Sequence, residues 1–66
     1  MKNTLKETRK AQNLTQEELA ALLGVSRQTI ISIESGRYVP STILSLKLAK
    51  HLKKYVEELF ILDLDD

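Results

Sequence analysis

Residues 14–37 read LTQEELAALLGVSRQTIISIESGR, and local rules alone place two helices and a tight turn on this stretch. Thr15-Gln16-Glu17-Glu18 has the capping-box form, a hydroxyl followed three residues later by a carboxylate, so each side chain can satisfy the other residue's backbone N–H. Leu14 and Leu19 flank the box as a hydrophobic staple and set the angle at which the chain enters the helix. Leu19, Ala20, Leu22 and Leu23 form its apolar stripe, and Gly24 ends it where a β-carbon would be unfavourable. Ser26 caps a further helix that runs to about Glu34, with Val25 and Ile30 as the next staple and Ile30 and Ile33 as inward positions one turn apart. So short a turn makes the two helices cross steeply, which requires a small residue at the crossing, a glycine in the turn and apolar residues on both facing stripes. Ala20, Gly24, Leu19, Leu23, Val25, Ile30 and Ile33 fill those places.

The same signals extend outward in both directions. Thr4-Leu5-Lys6-Glu7 has capping-box form, so a first helix starts within a residue or two of Thr4, and Asn13 tolerates the left-handed conformation that would close it. Gly36 suits the same role after the third helix. Pro40-Ser41 then breaks the chain and caps a fourth helix from about Thr42 to Leu52, with Leu48, Ala49 and Leu52 facing the core. Val56 to Phe60 fits a short fifth helix, and Phe60-Ile61-Leu62-Asp63-Leu64 alternates well enough for a strand. Neither a linker nor an internal repeat interrupts residues 1–66, which read as a single all-α domain of five helices.

Composition narrows the chemistry. A core built from 66 residues buries only about 60% of the surface of the unfolded chain, so a second subunit is a natural source of further burial. With no cysteine and only one histidine, His51, disulfide frameworks, common zinc sites and thiol nucleophiles are excluded. The carboxylates of Glu57, Glu58, Asp63, Asp65 and Asp66 have no clustered base, nucleophile or phosphate loop beside them, and the chain is not read as an enzyme. No cofactor, metal or small-molecule ligand is expected. No apolar run approaches the roughly 20 residues of a membrane span and no signal-peptide core follows Met1, so the expected location is the cytoplasm.

The formal net charge of +1 conceals a polarity. All ten Lys and Arg lie in residues 1–54 with four acids, a balance of +6, whereas residues 55–66 carry five acids and no base, a balance of −5. The basic part can face phosphates while the acidic end points elsewhere; the alternative is an ordinary solvated surface with a polar tail.

Taken together, LTQEELAALLGVSRQTI, the following IESGR and PS, and the later VEELF resemble the lambda-repressor-like, Cro and XRE-type helix-turn-helix family of DNA-binding domains, over essentially residues 3–60. The resemblance implies a transcription regulator whose third helix lies in the major groove while the second crosses the phosphate backbone. It places base contacts at Arg27, Gln28 and Ser32. Arg can pair with guanine O6 and N7, and Gln with adenine N6 and N7. Ile31 departs from the polar or small residue usual at its position, and either reads a thymine methyl, packs on a sugar, or is simply an exposed apolar residue. Gln16, Thr29, Ser35 and Arg37 are the phosphate candidates, against a reading in which the two hydroxyls satisfy helix ends and Arg37 is solvated. The resemblance also pairs Arg9 with Glu34 as a structural ion pair that orients the third helix. Relatives usually carry Gly and then Ser or Thr before VEELF, where this chain has Lys53, Lys54 and Tyr55, so the fourth helix runs on or the fifth starts uncapped.

The implied function is a sequence-specific regulator, a repressor, bound to double-stranded DNA as a homodimer on a near-palindromic operator in a prokaryotic or phage setting, nucleoid-associated when bound. The rival is an antitoxin-type DNA-binding protein whose C-terminal segment holds a partner protein. Residues 55–66 are assigned to dimerisation, because Leu59, Phe60, Ile61, Leu62 and Leu64 are poor candidates for free exposure and a lone strand would pair with its twin across a two-fold axis. The alternatives are a strand folded back on its own domain, or the fifth helix alone as the interface.

Overall fold

The computed structural model covers residues 1–66 and contains five helices and one two-stranded sheet. In chain order these are β1 (Lys2–Asn3), α1 (Leu5–Ala11), α2 (Gln16–Leu23), α3 (Arg27–Glu34), α4 (Thr42–Leu52), α5 (Val56–Leu59) and β2 (Phe60–Ile61). None of the helices is long and apolar enough to cross a membrane.

Three of the four side-chain caps that the sequence predicts form, at Thr15, Ser26 and Ser41. Thr15 Oγ1 accepts from the Glu18 N–H at 3.0 Å, and the Glu18 carboxylate accepts from the Thr15 N–H at 2.9 Å. Ser26 and Ser41 accept from the N–H groups of Thr29 and Leu44 at 3.2 and 3.1 Å. Gly24 closes α2 at φ +70°, and a β-carbon there would meet nothing within 4 Å, so the demand for glycine is conformational. The Thr15 N–H first, and then its hydroxyl, hold the Glu18 carboxyl below its ordinary pKa. A group whose pKa is depressed by folding contributes stability above its unfolded pKa and loses it as pH falls through the lower folded value. Thr15→Ala removes the helix cap and is expected to cost about 1 kcal/mol in urea unfolding at neutral pH. Part of that cost should disappear in acid, at pH values below the ordinary range of a glutamate.

Four expectations are corrected. Thr4 does not cap α1 with its side chain; its hydroxyl donates to Glu58 O at 2.8 Å and its N–H to Leu59 O at 2.9 Å, while Asn3 Oδ1 accepts from the Leu5 N–H at 3.1 Å. Leu22, placed on the inward stripe, is 50% exposed. The terminal strand is shorter than expected and is not a lone strand, since β2 pairs antiparallel with β1 of the same chain, Lys2 opposite Ile61 and Asn3 opposite Phe60. Leu59, assigned to a dimer interface, is fully buried in the chain's own core, and Phe60 packs against that core. Of the two alternatives for α4, it does not run on: Lys53 takes the left-handed conformation at φ +56°, and α5 starts with no side-chain cap from Tyr55 but with the Tyr55 N–H on the Glu58 carboxylate at 2.9 Å.

The core joins all five helices through Leu5, Leu19, Ala20, Leu23, Ile30, Ile33, Leu44, Leu48, Leu52 and Leu59. α2 packs mainly on α3 and α4 on α5. Leu14, Val25 and Ala49 cover the edges of this core. Each end of the chain is drawn to the other, with the Met1 α-amino group 3.1 Å from Asp63 Oδ2 and 3.4 Å from Asp66 Oδ2.

Candidate nucleic-acid interface

Burial of Ile30 and Ile33 turns the opposite face of α3 outward. Arg27 and Gln28 are exposed there, and Ile31 and Ser32 are half-buried. All four expected base-contacting residues thus share the accessible side of one helix. Of the four, Arg27 alone has side-chain partners within the chain, Gln16 at 3.4 Å from its Nε and Glu17 at 3.7 Å from its Nη1.

Beneath this face lies a charged network. Arg9 Nε donates to Glu34 Oε2 at 2.7 Å and Arg9 Nη2 to Glu34 Oε1 at 3.3 Å, a two-point contact between side chains that are only 8% and 5% exposed. Arg9 Nη1 also donates to Leu14 O at 2.8 Å, so the α1–α2 connection is tied to the same guanidinium. The amide of Gln16 donates to Glu34 Oε1 at 3.1 Å, and no buried side-chain polar atom is left without a partner. One carboxylate at the end of α3 thereby holds α1, the turn after it and the first residue of α2.

The phosphate candidates are dispersed around α3. Gln16 begins α2 and lines an open cleft of about 540 Å³ together with Lys10, Asn13, Thr15, Glu17 and Arg27. Its side chain is committed at both ends, to Glu34 and Arg27, which leaves its backbone N–H at the helix start as the group available to an anion. Thr29 is half-buried with its hydroxyl 3.0 Å from Ser26 Oγ, and Ser35 Oγ donates to Ser32 O at 3.0 Å. Both hydroxyls thus serve the ends of α3. Arg37 is exposed after the left-handed Gly36, its N–H bonded to Ser32 O at 3.0 Å.

Two residues of this surface escaped the sequence reading. Tyr38 is half-exposed and, with Ser26, Gln28, Thr29 and Ser32, walls a shallow depression of about 280 Å³ along the flank of α3 opposite Arg27. Its signal was an aromatic residue shortly after the glycine that follows α3. Asn3 donates from Nδ2 to Ile33 O at 2.9 Å and so fastens β1 to α3; nothing local announces that contact.

Comparison with known proteins shows the family to which this fold belongs. The helix-turn-helix family profile matches residues 5–59, which is most of the chain. The chain belongs to the helix-turn-helix family. It is 54% identical over 66 residues, covering 100% of both chains, to an HTH-type transcriptional regulator of Methanocaldococcus jannaschii. It is 44% identical over 63 residues to the HTH-type transcriptional regulator YgzD of Bacillus subtilis, covering 96% of each. Among solved structures it is similar to the restriction-modification controller protein C.AhdI from Aeromonas hydrophila, at a TM-score of 0.77 with 41% identity over 85% of both chains. This helix-turn-helix chain is thus a transcriptional regulator with a DNA-binding domain, from a family of DNA-binding regulators rather than enzymes, with prokaryotic relatives.

Proposed function

We propose that the protein is a sequence-specific repressor that binds a near-palindromic operator in double-stranded DNA as a homodimer, with α3 in the major groove. The observation that carries this reading is the convergence of Arg27, Gln28, Ile31 and Ser32 on the accessible side of α3, with an open basic cleft at the start of α2 beside it. Arg27, Gln28 and Ser32 contact base edges, and Ile31 meets a thymine methyl. The Gln16 N–H and Arg37 hold phosphates on either side, and the hydroxyls of Thr29 and Ser35 join them by rotating away from their own helix. Residues 1–54 form the DNA-binding part and 55–66 the pairing segment. In that segment Ile61, Leu62 and Leu64 remain exposed, Leu64 completely, and supply apolar surface for a second copy.

Selection from a random duplex library tests sequence specificity and pairing together. Enriched sequences should contain two inverted half-sites about one helical turn, roughly 34 Å, apart, with affinity that falls steeply as salt rises. Arg27→Ala or Gln28→Ala should relax preference at one base pair by about 1–3 kcal/mol, and Arg37→Ala should weaken all sequences alike. Enrichment of no common sequence would remove the specific-regulator reading, and enrichment of single half-sites would remove the dimer.

A further inference from the structure

Glu17 is out of place in a cleft that receives phosphate. It stands at the second position of α2, 75% exposed, and takes no part in the capping box, which uses Glu18. It is the one acid lining that cleft, whose cations are Lys10, Arg27 and an Arg9 already spent on Glu34. Its carboxylate lies 3.7 Å from Arg27 Nη1, while Arg27 Nε donates to Gln16 Oε1 at 3.4 Å. Gln16 cannot turn freely to release that contact, because its amide nitrogen is bonded to the buried Glu34 carboxylate at 3.1 Å. The Arg27 guanidinium is therefore held at Nε by Gln16 and flanked at Nη1 by the Glu17 carboxylate.

We propose that Glu17 is a specificity determinant that, with Gln16, holds Arg27 ready for a base edge and withholds it from phosphates; this rests on the reading of Arg27 as a base-contacting residue. A guanidinium has five N–H donors. Gln16 engages Nε and Glu17 stands beside Nη1 at ion-pair distance, which leaves the outer N–H groups of Nη1 and Nη2 as the two-pronged donor that guanine O6 and N7 accept. That contact forms without displacing either neighbour. A phosphate at a non-cognate site takes Arg27 as a point charge, which pulls it from Glu17 and leaves that carboxylate unpaired beside phosphate, whereas in the base-reading complex Arg27 stays beside Glu17 and offsets its charge against the phosphate on the Gln16 N–H. The penalty falls on the wrong complex more than on the right one, so discrimination comes from a repulsive element as well as from attractive contacts.

The test uses the full chain with Glu17→Gln, Arg27→Ala and the double variant, titrated against the selected duplex and a random-sequence duplex of equal length over a range of salt. Glu17→Gln should bind the random duplex up to about fivefold tighter, the range set by an exposed ion pair, with a steeper salt dependence and little change on the selected duplex. Thermal unfolding should be unaltered, and in the Arg27→Ala background the same substitution should leave the ratio of the two affinities unchanged. Equal tightening on both duplexes, no change on either, or an equal fall in the ratio without Arg27 would overturn the proposal. Arg27→Ala that keeps the full base preference at every position would instead remove the base-contact role of Arg27, and the proposal with it.

Discussion

Arg9→Ala should lower the unfolding free energy by about 3 kcal/mol or more, because it leaves the Glu34 carboxylate buried without its counter-charge. The same truncation strips Leu14 O of its donor, so the turn into α2 loosens along with the seat of α3. A domain of this size has a total stability of roughly 5–15 kcal/mol, and such a loss brings the lower part of that range close to unfolding at physiological temperature. Arg9→Lys should recover little, since an ammonium cannot reproduce the two-point contact with Glu34 and reach Leu14 O as well. The measurement is a urea double-mutant cycle on Arg9→Ala and Glu34→Ala. Strong coupling places the pair in the folded core, and additive losses would make them independent charges. DNA binding should weaken through loss of folded protein and the looser seat of α3, with base preference intact in the fraction that remains folded.

What the sequence disclosed follows from the range of each interaction. The caps at Thr15, Ser26 and Ser41 are bonds between residues three apart, so the pattern of types contains the whole geometry. Thr4 and Glu7 show the same pattern and make no such bond, because the Thr4 hydroxyl and N–H are claimed by Glu58 O and Leu59 O at the far end of the chain. A local rule cannot register a competitor more than fifty residues away. The pairing of β1 with β2 is hidden for the same reason, and two residues per strand are too few to show alternation. Lys53 shows the opposite failure. α4 closes through a left-handed residue with the Lys54 N–H on Ala49 O at 3.0 Å, and here that residue is an exposed lysine, a type whose β-carbon disfavours the conformation. At the interface, helical periodicity sufficed to bring Arg27, Gln28, Ile31 and Ser32 to one side of α3. The commitment of Gln16 to both Glu34 and Arg27 depends on how α2 and α3 cross, which spacing alone does not fix.

Leu59→Ala is expected to cost about 2–5 kcal/mol, the range for emptying a buried leucine site. The whole of that loss should persist at dilutions where any dimer has dissociated. Leu59 is fully buried by contacts within one chain, where α5 packs on α4 and Phe60 closes over the same core. Its carbonyl also accepts the Thr4 N–H that joins the two ends of the chain, so a cavity beneath it weakens the anchoring of β1 and β2. Leu62→Ala and Leu64→Ala behave differently on this view. Their side chains are exposed, and removing them should leave the dilute chain's unfolding nearly unchanged, within about 0.5 kcal/mol, while shifting any association to higher concentration. Urea unfolding of the three variants at two concentrations, with sedimentation of each, separates the roles. A Leu59 effect seen only in concentrated solution would put that residue at a contact between copies, whereas equal losses from Leu62 and Leu64 in dilute solution would place the tail against its own domain.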